Sequence, residues 1–373
     1  MIYRILIFLS LFIILLLGIN LFIYFSLVKH FNLSNSNLKL FLFWFLFGMV
    51  FLFFLSSVGL HFWNNLFLQS LYLIASVWAG FWVYLFFALV FSGIIYFISR
   101  IFGIPSRMDL ISGLLIVLAL LYSIYGLWNA RNIRLTELTV KIKNLPAAWQ
   151  NKTVVQLSDL HLGSIYGRGF MEKIVERTNQ LSPEVVFITG DLFDGMDGEL
   201  ESFVEPLKHL KAPKGTYFIT GNHEIYLGME RVLSAVKQTS LTMLNDQTVD
   251  LDGLQISGIH YGSDAFPRKN IAEILTNDKA FQKGKPTILL YHPPMGIEDA
   301  KIIGINLQLS GHTHRGQLFP FGYITSWVFK GYDFGLYTEG DYTLYTTPGI
   351  GTWGPPMRTG NHPEIVKIKL VGS

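Results

Sequence analysis

The chain has 373 residues, of which 51% are hydrophobic and only 15% charged, with a formal net charge of +3 and no cysteine. That length holds two or three ordinary domains, and the missing cysteines exclude disulfides and thiolate metal sites. The positive balance is no argument for nucleic-acid binding, because it is confined to one end: before residue 131 the charged residues are Arg4, Lys29, Lys39, Arg100 and Arg107 against Asp109 alone, and the remainder is nearly balanced.

The first third has the composition of membrane helices. Residues 5–28 contain no charge, and a bilayer core of ~30 Å is crossed by ~20 helical residues. Residues 40–99 also lack charge and exceed one span; their most polar point, "HFWNN" at 61–65, supplies a turn. Residues 110–130 give a fourth segment. The spans are placed near 5–28, 40–60, 68–98 and 110–129. No polar face recurs at helical period, which argues against a buried soluble bundle. A cleaved signal peptide is disfavoured because the first apolar region is too long and no small-x-small site follows it. Four spans put both termini on one side. Arg4, Arg131, Arg134, Lys141 and Lys143 on that side against Lys29, Lys39, Arg100 and Arg107 on the other lean towards cytoplasmic termini by about one charge. The expected organisation is a transmembrane region over 1–130, a linker and first strand over 131–150, and a second domain over 151–373.

From about residue 135 the period changes. "LTELTVKIKNL" alternates as a half-buried strand does. "KTVVQLSDLHLG", "PEVVFITGDLFD", "GTYFITGNHE" and "PTILLYHPP" share one plan, an apolar strand followed by a turn carrying Asp, Asn or His. Segments 169–181, 199–210 and 228–238 have helical patterns, whereas 246–259, 341–347 and 363–370 are predicted as strands without helices between them. The pattern predicts a layered α/β architecture with its site assembled at strand ends.

The strand-end residues are Asp159, His161, Asp191, Asn222, His223, His292, His312 and His314, the last two within "SGHTHRGQ". They include five of the ten histidines. Seven of the eight are nitrogen or oxygen donors suited to two divalent ions, with His223 left over. Imidazole and carboxylate without thiolate suit Mn²⁺, Fe or Zn²⁺ better than Mg²⁺ or Ca²⁺. Each motif alone is weak; all of them in order, each after an apolar strand, make a strong signal.

The series D-x-H, G-D, G-N-H-E, H and G-H-x-H over roughly residues 150–370 resembles the calcineurin-like metallophosphoesterase superfamily. "SGHTHRGQLFP" and "GIGTWGPPMR" resemble its bacterial YkuE/YaeI-like branch, here with N-terminal transmembrane helices. The resemblance implies a metal-lined β-sandwich flanked by helices. It implies one ion held by Asp159, His161 and His314, a second by Asn222, His292 and His312, Asp191 bridging them, and His223 facing the substrate as the catalytic residue. Such a pair would share a bridging hydroxide for in-line attack on phosphorus, and His223 would assist the leaving oxygen. Glu224 is expected either to orient His223 or to cap the following helix, and Asp194 to form a turn or support a ligand.

One departure matters. Ser/Thr phosphatases of this superfamily continue as G-D-x-x-D-R-G, whose arginine grips phosphate; here Gly195 and Met196 follow Asp194, so that clamp is absent. Arg168, Arg315 and Arg358 are weighed as replacements against structural roles. Trp353 either packs over the site or anchors a proline turn, and Phe319, Phe321, Trp327, Phe329 and Trp353 either form core or a rim for an acyl chain. His209, His260 and His362 lie outside the motifs. The expected function is a bacterial, multi-pass membrane phosphohydrolase cleaving phosphate mono- or diesters, with a phosphoester substrate that anchoring makes attractive as a lipid-linked phosphate or pyrophosphate. The competing readings are a nucleotide phosphodiesterase and a non-catalytic ligand-binding component of a membrane complex. A nucleic-acid partner is not expected, because the second part has no basic run.

Overall fold

The computed structural model describes residues 2–63, 65–195, 200–262 and 270–372, without the side chains of residues 2–6, 8 and 9. The chain divides into two compact units, Met1–Leu127 with Gly354–Met357, and Trp128–Trp353 with Arg358–Ser373.

The first unit is built on α1 (Ile2–His30), α2 (Ser36–Phe62), α3 (Leu66–Ile101) and α4 (Met108–Arg131). All four are long and apolar enough to cross a membrane. Asn35 and Asn65 cap α2 and α3, accepting from the N–H of Leu38 and Leu68; of the turn expected at 61–65, His61 and Phe62 still belong to α2, and Asn64 lies outside the described residues. Ile23, Leu46, Leu85 and Leu89 pack inside. Some internal polar groups pair: Trp82 Nε1 donates to Asn20 Oδ1 at 3.0 Å, and Ser92 and Ser112 share a hydrogen bond of 2.6 Å beside His30. Outward, residues such as Phe41, Trp44, Phe51 and Leu55 are exposed, a mantle suited to lipid rather than water.

The second unit is a sandwich of two six-stranded sheets. In chain order its elements are β1 (Arg134–Ile142), β2 (Thr153–Leu157), α5 (Arg168–Gln180), β3 (Val185–Thr189), α6 (Glu201–Val204), β4 (Thr216–Ile219), α7 (Asn222–Leu227), α8 (Met229–Val236), β5 (Leu241–Met243), β6 (Gln247–Leu251), β7 (Leu254–Ile259), α9 (Ile271–Asn277), β8 (Thr287–Tyr291), α10 (Ile297–Ile303), β9 (Leu307–Ser310), α11 (Gly322–Val328), β10 (Gly335–Glu339), β11 (Tyr342–Thr346) and β12 (Glu364–Gly372). One sheet runs β1-β12-β2-β3-β4-β5 and the other β10-β11-β9-β8-β7-β6. Val154, Phe187, Ile219, Ile256, Leu290 and Leu309 fill the space between them. The outer face of the first sheet packs on α5, α6 and α8 through Ile174, Val204 and Val232, and that of the second on α9 and α10 through Ile271 and Ile303.

β2, β3 and β4 are mutually parallel, as are β7, β8 and β9. Their continuous β-branched and aliphatic runs fit strands covered on both faces. Their carboxyl ends therefore emerge along common edges, where open α/β sheets bind ligands. Gln156 of β2 ties the sheets near that edge, its amide donating to Ser310 O and Thr189 Oγ1 at 3.0 and 2.9 Å.

Three expectations require correction. The helical segment expected at 199–210 is a four-residue α6 followed by a 3₁₀ turn over Glu205–His209, with Pro206 at its start; Glu199 lies outside the described residues. Segment 246–259 is two strands, with Asp252 and Gly253 at positive φ forming the turn. Helices do intervene between 259 and 341: α9, α10 and α11 have seven residues each, too short to establish a helical period. β5 and β10, of three and five residues, carry too little pattern to be found.

Candidate metal centre

Each expected donor stands at a strand end. Asp159 and His161 follow β2, Asp191 follows β3, Asn222 and His223 open α7 after β4, His292 follows β8, and His312 and His314 follow β9. Asp159, His161, Asp191, His312 and His314 all adopt positive φ, between 46° and 72°. Non-glycine residues rarely do so, and such strain persists where surrounding structure enforces it, commonly at functional sites.

Three groups of side chains converge among the described residues, one of them His161, Asp194 and His223, and the other two sharing Asp191. Asp159, His161, Asp191 and His314 each offer an atom within 4.8 Å of the others, and so do Asp191, His292 and His312. His161 Nε2 and His314 Nε2 are 3.0 Å apart, and His314 Nε2 lies 3.3 Å from Asp159 Oδ1. On the other side His292 Nε2 is 3.1 Å from Asp191 Oδ2, which is also 3.9 Å from His161 Nε2. Asp191 belongs to both of these groups.

Outer contacts set the orientations. His292 Nδ1 donates to Thr189 O at 2.7 Å, turning Nε2 inward. Ser158 donates to Asp159 Oδ2, and the His312 N–H reaches the same carboxylate. Asp191 Oδ1 accepts from the His223 N–H at 3.0 Å. Space for these side chains comes from glycine: a Cβ on Gly190 would overlap the His292 ring, and one on Gly221 would overlap Asp191 Oδ1.

The residues fit divalent ions on an observation independent of their motifs. Asn222 Oδ1 is buried with no hydrogen-bond partner among the described residues, which is costly unless another ligand compensates. Electrostatics agree. Burial works against charge on Asp191, yet His292 and then His223 outweigh it and hold the carboxyl well below its ordinary value. Burial likewise opposes charge on His292, but the Asp191 carboxylate lifts it to about 9. The Asp191 carboxylate thus favours positive charge on this side of the site.

The neighbours of the centre are also fixed. His223 Nδ1 donates to Asp194 O at 2.5 Å, and its ring lies 4.6 Å from that of His161 and 6.1 Å from that of Trp353. Glu224 does not touch the His223 ring. Its oxygens accept from the N–H of Gly221 at 2.6 Å, Asp191 at 3.0 Å and Phe193 at 3.1 Å, so it caps α7 and pins the Asp191 turn. Burial, then Asp191, raise it to about 7. Asp194 supports two rings, His223 by its carbonyl and His161 Nδ1 by Oδ1 at 3.5 Å.

Of the three arginines, none grips the site as a phosphate clamp. Arg168 pairs with Glu172 and Glu205 at the surface, and Arg315 lies over the Phe334 ring at 4.3 Å. Arg358 is fully buried, donating to Pro348 O, Gly351 O and Asn361 Oδ1, with Nη2 3.3 Å from His314 Nδ1; burial lowers it to about 10. It braces His314 and was legible only as an arginine. Trp353 is exposed, and Gln317 holds its backbone from both sides at 3.0 Å. Two aromatics went unnoticed in the sequence: Tyr226, exposed, 5.4 Å from the His223 ring, and Tyr261, buried, within 6.0 Å of the His292 and His312 rings. Phe329 stands 5.8 Å from the His312 ring and borders a cavity of about 600 Å³ shared with Tyr291, Met295 and Ile297. His209 and His260 face Glu205 and Asp246, and His362 bonds Asn129.

Comparison with known proteins gives a consistent picture. Residues 152–316 match the family model for calcineurin-like phosphoesterases. A Helicobacter pylori protein described as an uncharacterised metallophosphoesterase is 35% identical over 294 residues, 76% of this chain and 78% of the relative. A Danio rerio transmembrane protein with metallophosphoesterase domain is 32% identical over 277 residues, 69% of this chain and 62% of the relative's own length. The Bacillus subtilis metallophosphoesterase YkuE is 30% identical over 250 residues, covering 64% and 85%.

Proposed function

The chain belongs to the calcineurin-like metallophosphoesterases, metal-dependent phosphoester hydrolases, and on that premise we propose that it is a membrane-anchored enzyme with a dinuclear centre cleaving a phosphate mono- or diester. One ion would be held by Asp159, His161 and His314, and the other by Asn222, His292 and His312, with Asp191 shared. Mn, Fe or Zn suit these donors. When bound, two such ions supply the positive charge that polarises the phosphoryl group and activates water at neutral pH. The observation that carries this reading is the position of Asp191, whose carboxylate lies within reach of both donor groups.

The protein's own groups complete the chemistry. His223 is the catalytic acid. Its Nδ1–H is committed to Asp194 O, so Nε2 is the ring nitrogen left to meet a substrate. Burial lowers its pKa, and the negative charge of an arriving phosphate acts in the opposite sense, favouring the protonated ring when a leaving oxygen needs a proton. Trp353 and Tyr226 beside His223 offer aromatic surface to the rest of the substrate. Four apolar helices favour a substrate that is itself in the membrane, a lipid-linked phosphate or pyrophosphate, and the charge balance favours the cytoplasmic side of a bacterial membrane. Nucleic acid is disfavoured by the absence of a basic run.

The test is Asp191→Ala in the purified full chain, with metal content by elemental analysis and turnover of a chromogenic diester. Loss of both ions and of activity is expected; two retained ions with a near-normal rate would sink the dinuclear reading. A screen of lipid phosphates, lipid-linked nucleotides and soluble nucleotides on the unaltered protein then identifies the substrate class.

A further inference from the structure

α11 is an amphipathic helix turned inside out. Tyr323, Ile324, Trp327 and Val328 recur on one stripe and are 73%, 57%, 82% and 46% exposed, and Phe319 just before the helix is 49% exposed. No residue of α11 is buried. Its inward side is small and polar: Thr325 Oγ1 donates to Asp333 Oδ2 at 2.9 Å, and Ser326 lines a small cavity. In a water-facing helix the apolar stripe should face the protein, and a contiguous apolar patch left outside marks an interaction surface.

The patch is also rigidly joined to the metal turn. A Cβ on Gly316 would overlap Gly322 N and Phe321 C, so the His314–Gly316 turn and the start of α11 touch backbone to backbone. Thr313 Oγ1 donates to Asp333 O at 2.6 Å, and the Phe319 N–H reaches Thr359 Oγ1 at 3.0 Å. Whatever α11 binds is held at a set distance from His312 and His314.

We propose that α11 lies in the headgroup region of a bilayer, burying Phe319, Tyr323, Ile324, Trp327 and Val328, and so presents the metal centre to phosphate at the lipid surface. Three features select lipid as the occupant. The same chain carries four helices fit to cross a membrane, and only residues 132 and 133 separate α4 from β1, so a bilayer is never far from this unit. Tyr and Trp together with aliphatic residues form the composition enriched at membrane interfaces. Arg315 and Lys330, both exposed at the borders of the helix, suit anionic headgroups. The helix placement is independent of catalysis; its bearing on substrate rests on the phosphohydrolase reading.

The absence of native cysteine permits a direct test. Trp327→Cys in the full chain is labelled with a nitroxide and reconstituted, one chain per nanodisc, in phosphatidylcholine with a minority of phosphatidylglycerol. Lys173→Cys, on the exposed side of α5, is the aqueous reference. Power-saturation spectroscopy should find the probe at 327 favouring oxygen over a water-soluble nickel chelate, and the probe at 173 the reverse. Equal aqueous access at the two sites overturns the proposal. Protection of 327 that appears only in discs holding two chains also overturns it, because the occupant is then a second copy. As a second variant, Ile324→Ser with Trp327→Ser should reduce turnover of a bilayer-embedded lipid phosphate about tenfold or more while leaving a soluble diester unaffected. If the probe lies in lipid but no phosphoester is hydrolysed, the helix assignment stands and the catalytic reading fails.

Discussion

At the scale of single residues, the site is an arrangement of strained donors and committed outer partners. His223 shares with His292 an Nδ1–H committed to a backbone carbonyl, but it belongs to neither of the donor groups that contain Asp191. Its replacement should therefore spare metal content. His223→Ala is expected to keep both ions by elemental analysis and to lose roughly 10²- to 10⁴-fold in rate, the range of general acid–base help, with a smaller loss for substrates whose leaving groups need no proton. Loss of an ion with the rate would make His223 a ligand. A pH effect follows from His292. Its folded pKa of about 9 lies above the ordinary imidazole value of about 6.5, so near pH 7.5 the metal-free ring is protonated and an ion must displace that proton. Metal binding should release about one proton from this position, and apparent affinity should rise with pH until about 9. Calorimetry in buffers of different ionisation enthalpy measures the release; a His292→Gln variant that releases as many protons would refute the origin. The donors themselves were legible in the sequence, because each ends a recognisable apolar strand. The roles of Glu224 and Arg358 were not, because their partners lie on other turns: the N–H of Asp191 and Phe193 for the first, and Pro348, Gly351 and His314 for the second.

At the scale of elements, the centre depends on how closely the β3 and β4 turns approach. Gly221 has an ordinary φ of −103°, so its requirement is space and not backbone freedom. Gly221→Ala would drive a methyl group into the Asp191 carboxylate and N–H. The expected result is weaker binding of both ions, with a stability cost of about 1–3 kcal/mol from overpacking, read as lost metal content in a protein whose circular dichroism is unchanged. Full retention of both metals would show that the turns can separate without consequence. Element by element, the long features were the readable ones. Uncharged runs announced α1 to α4, and buried β-branched runs announced β2, β3 and β8. α9 to α11 escaped because seven residues establish no period, and α11 also because its apolar stripe faces away from the protein. The 199–210 segment misled because an apolar spacing can be met by a short helix and a 3₁₀ turn around Pro206.

At the scale of the whole molecule, the end of α4 is a part of the catalytic unit, which begins at Trp128. Asn129 Nδ2 donates to Arg358 O and Asn361 O, each at 2.8 Å, and its Oδ1 meets His362 Nδ1 at 2.5 Å. Asn361 in turn donates to His314 O at 2.6 Å, and Arg358 stands beside the His314 ring. A side chain at the last apolar helix is thus two hydrogen bonds from a candidate metal donor more than 180 residues later, a relation that no local pattern encodes. The consequence is specific for truncation. A chain beginning at residue 135 would leave two buried carbonyls without donors, at about 1–3 kcal/mol each, and should lose melting temperature, metal content and turnover of a soluble diester together. A chain beginning at Trp128 keeps Asn129 and should retain more of all three. Neither has the apolar helices, so both should fall well below the full chain on a lipid phosphate in mixed micelles if anchoring serves to bring enzyme and substrate to one surface. Should the chain from Trp128 match the full chain on long-chain and short-chain substrates alike, the membrane-substrate reading fails and the phosphohydrolase remains. Should the chain from 135 be as stable as the chain from 128, the Asn129 link carries no weight in holding His314.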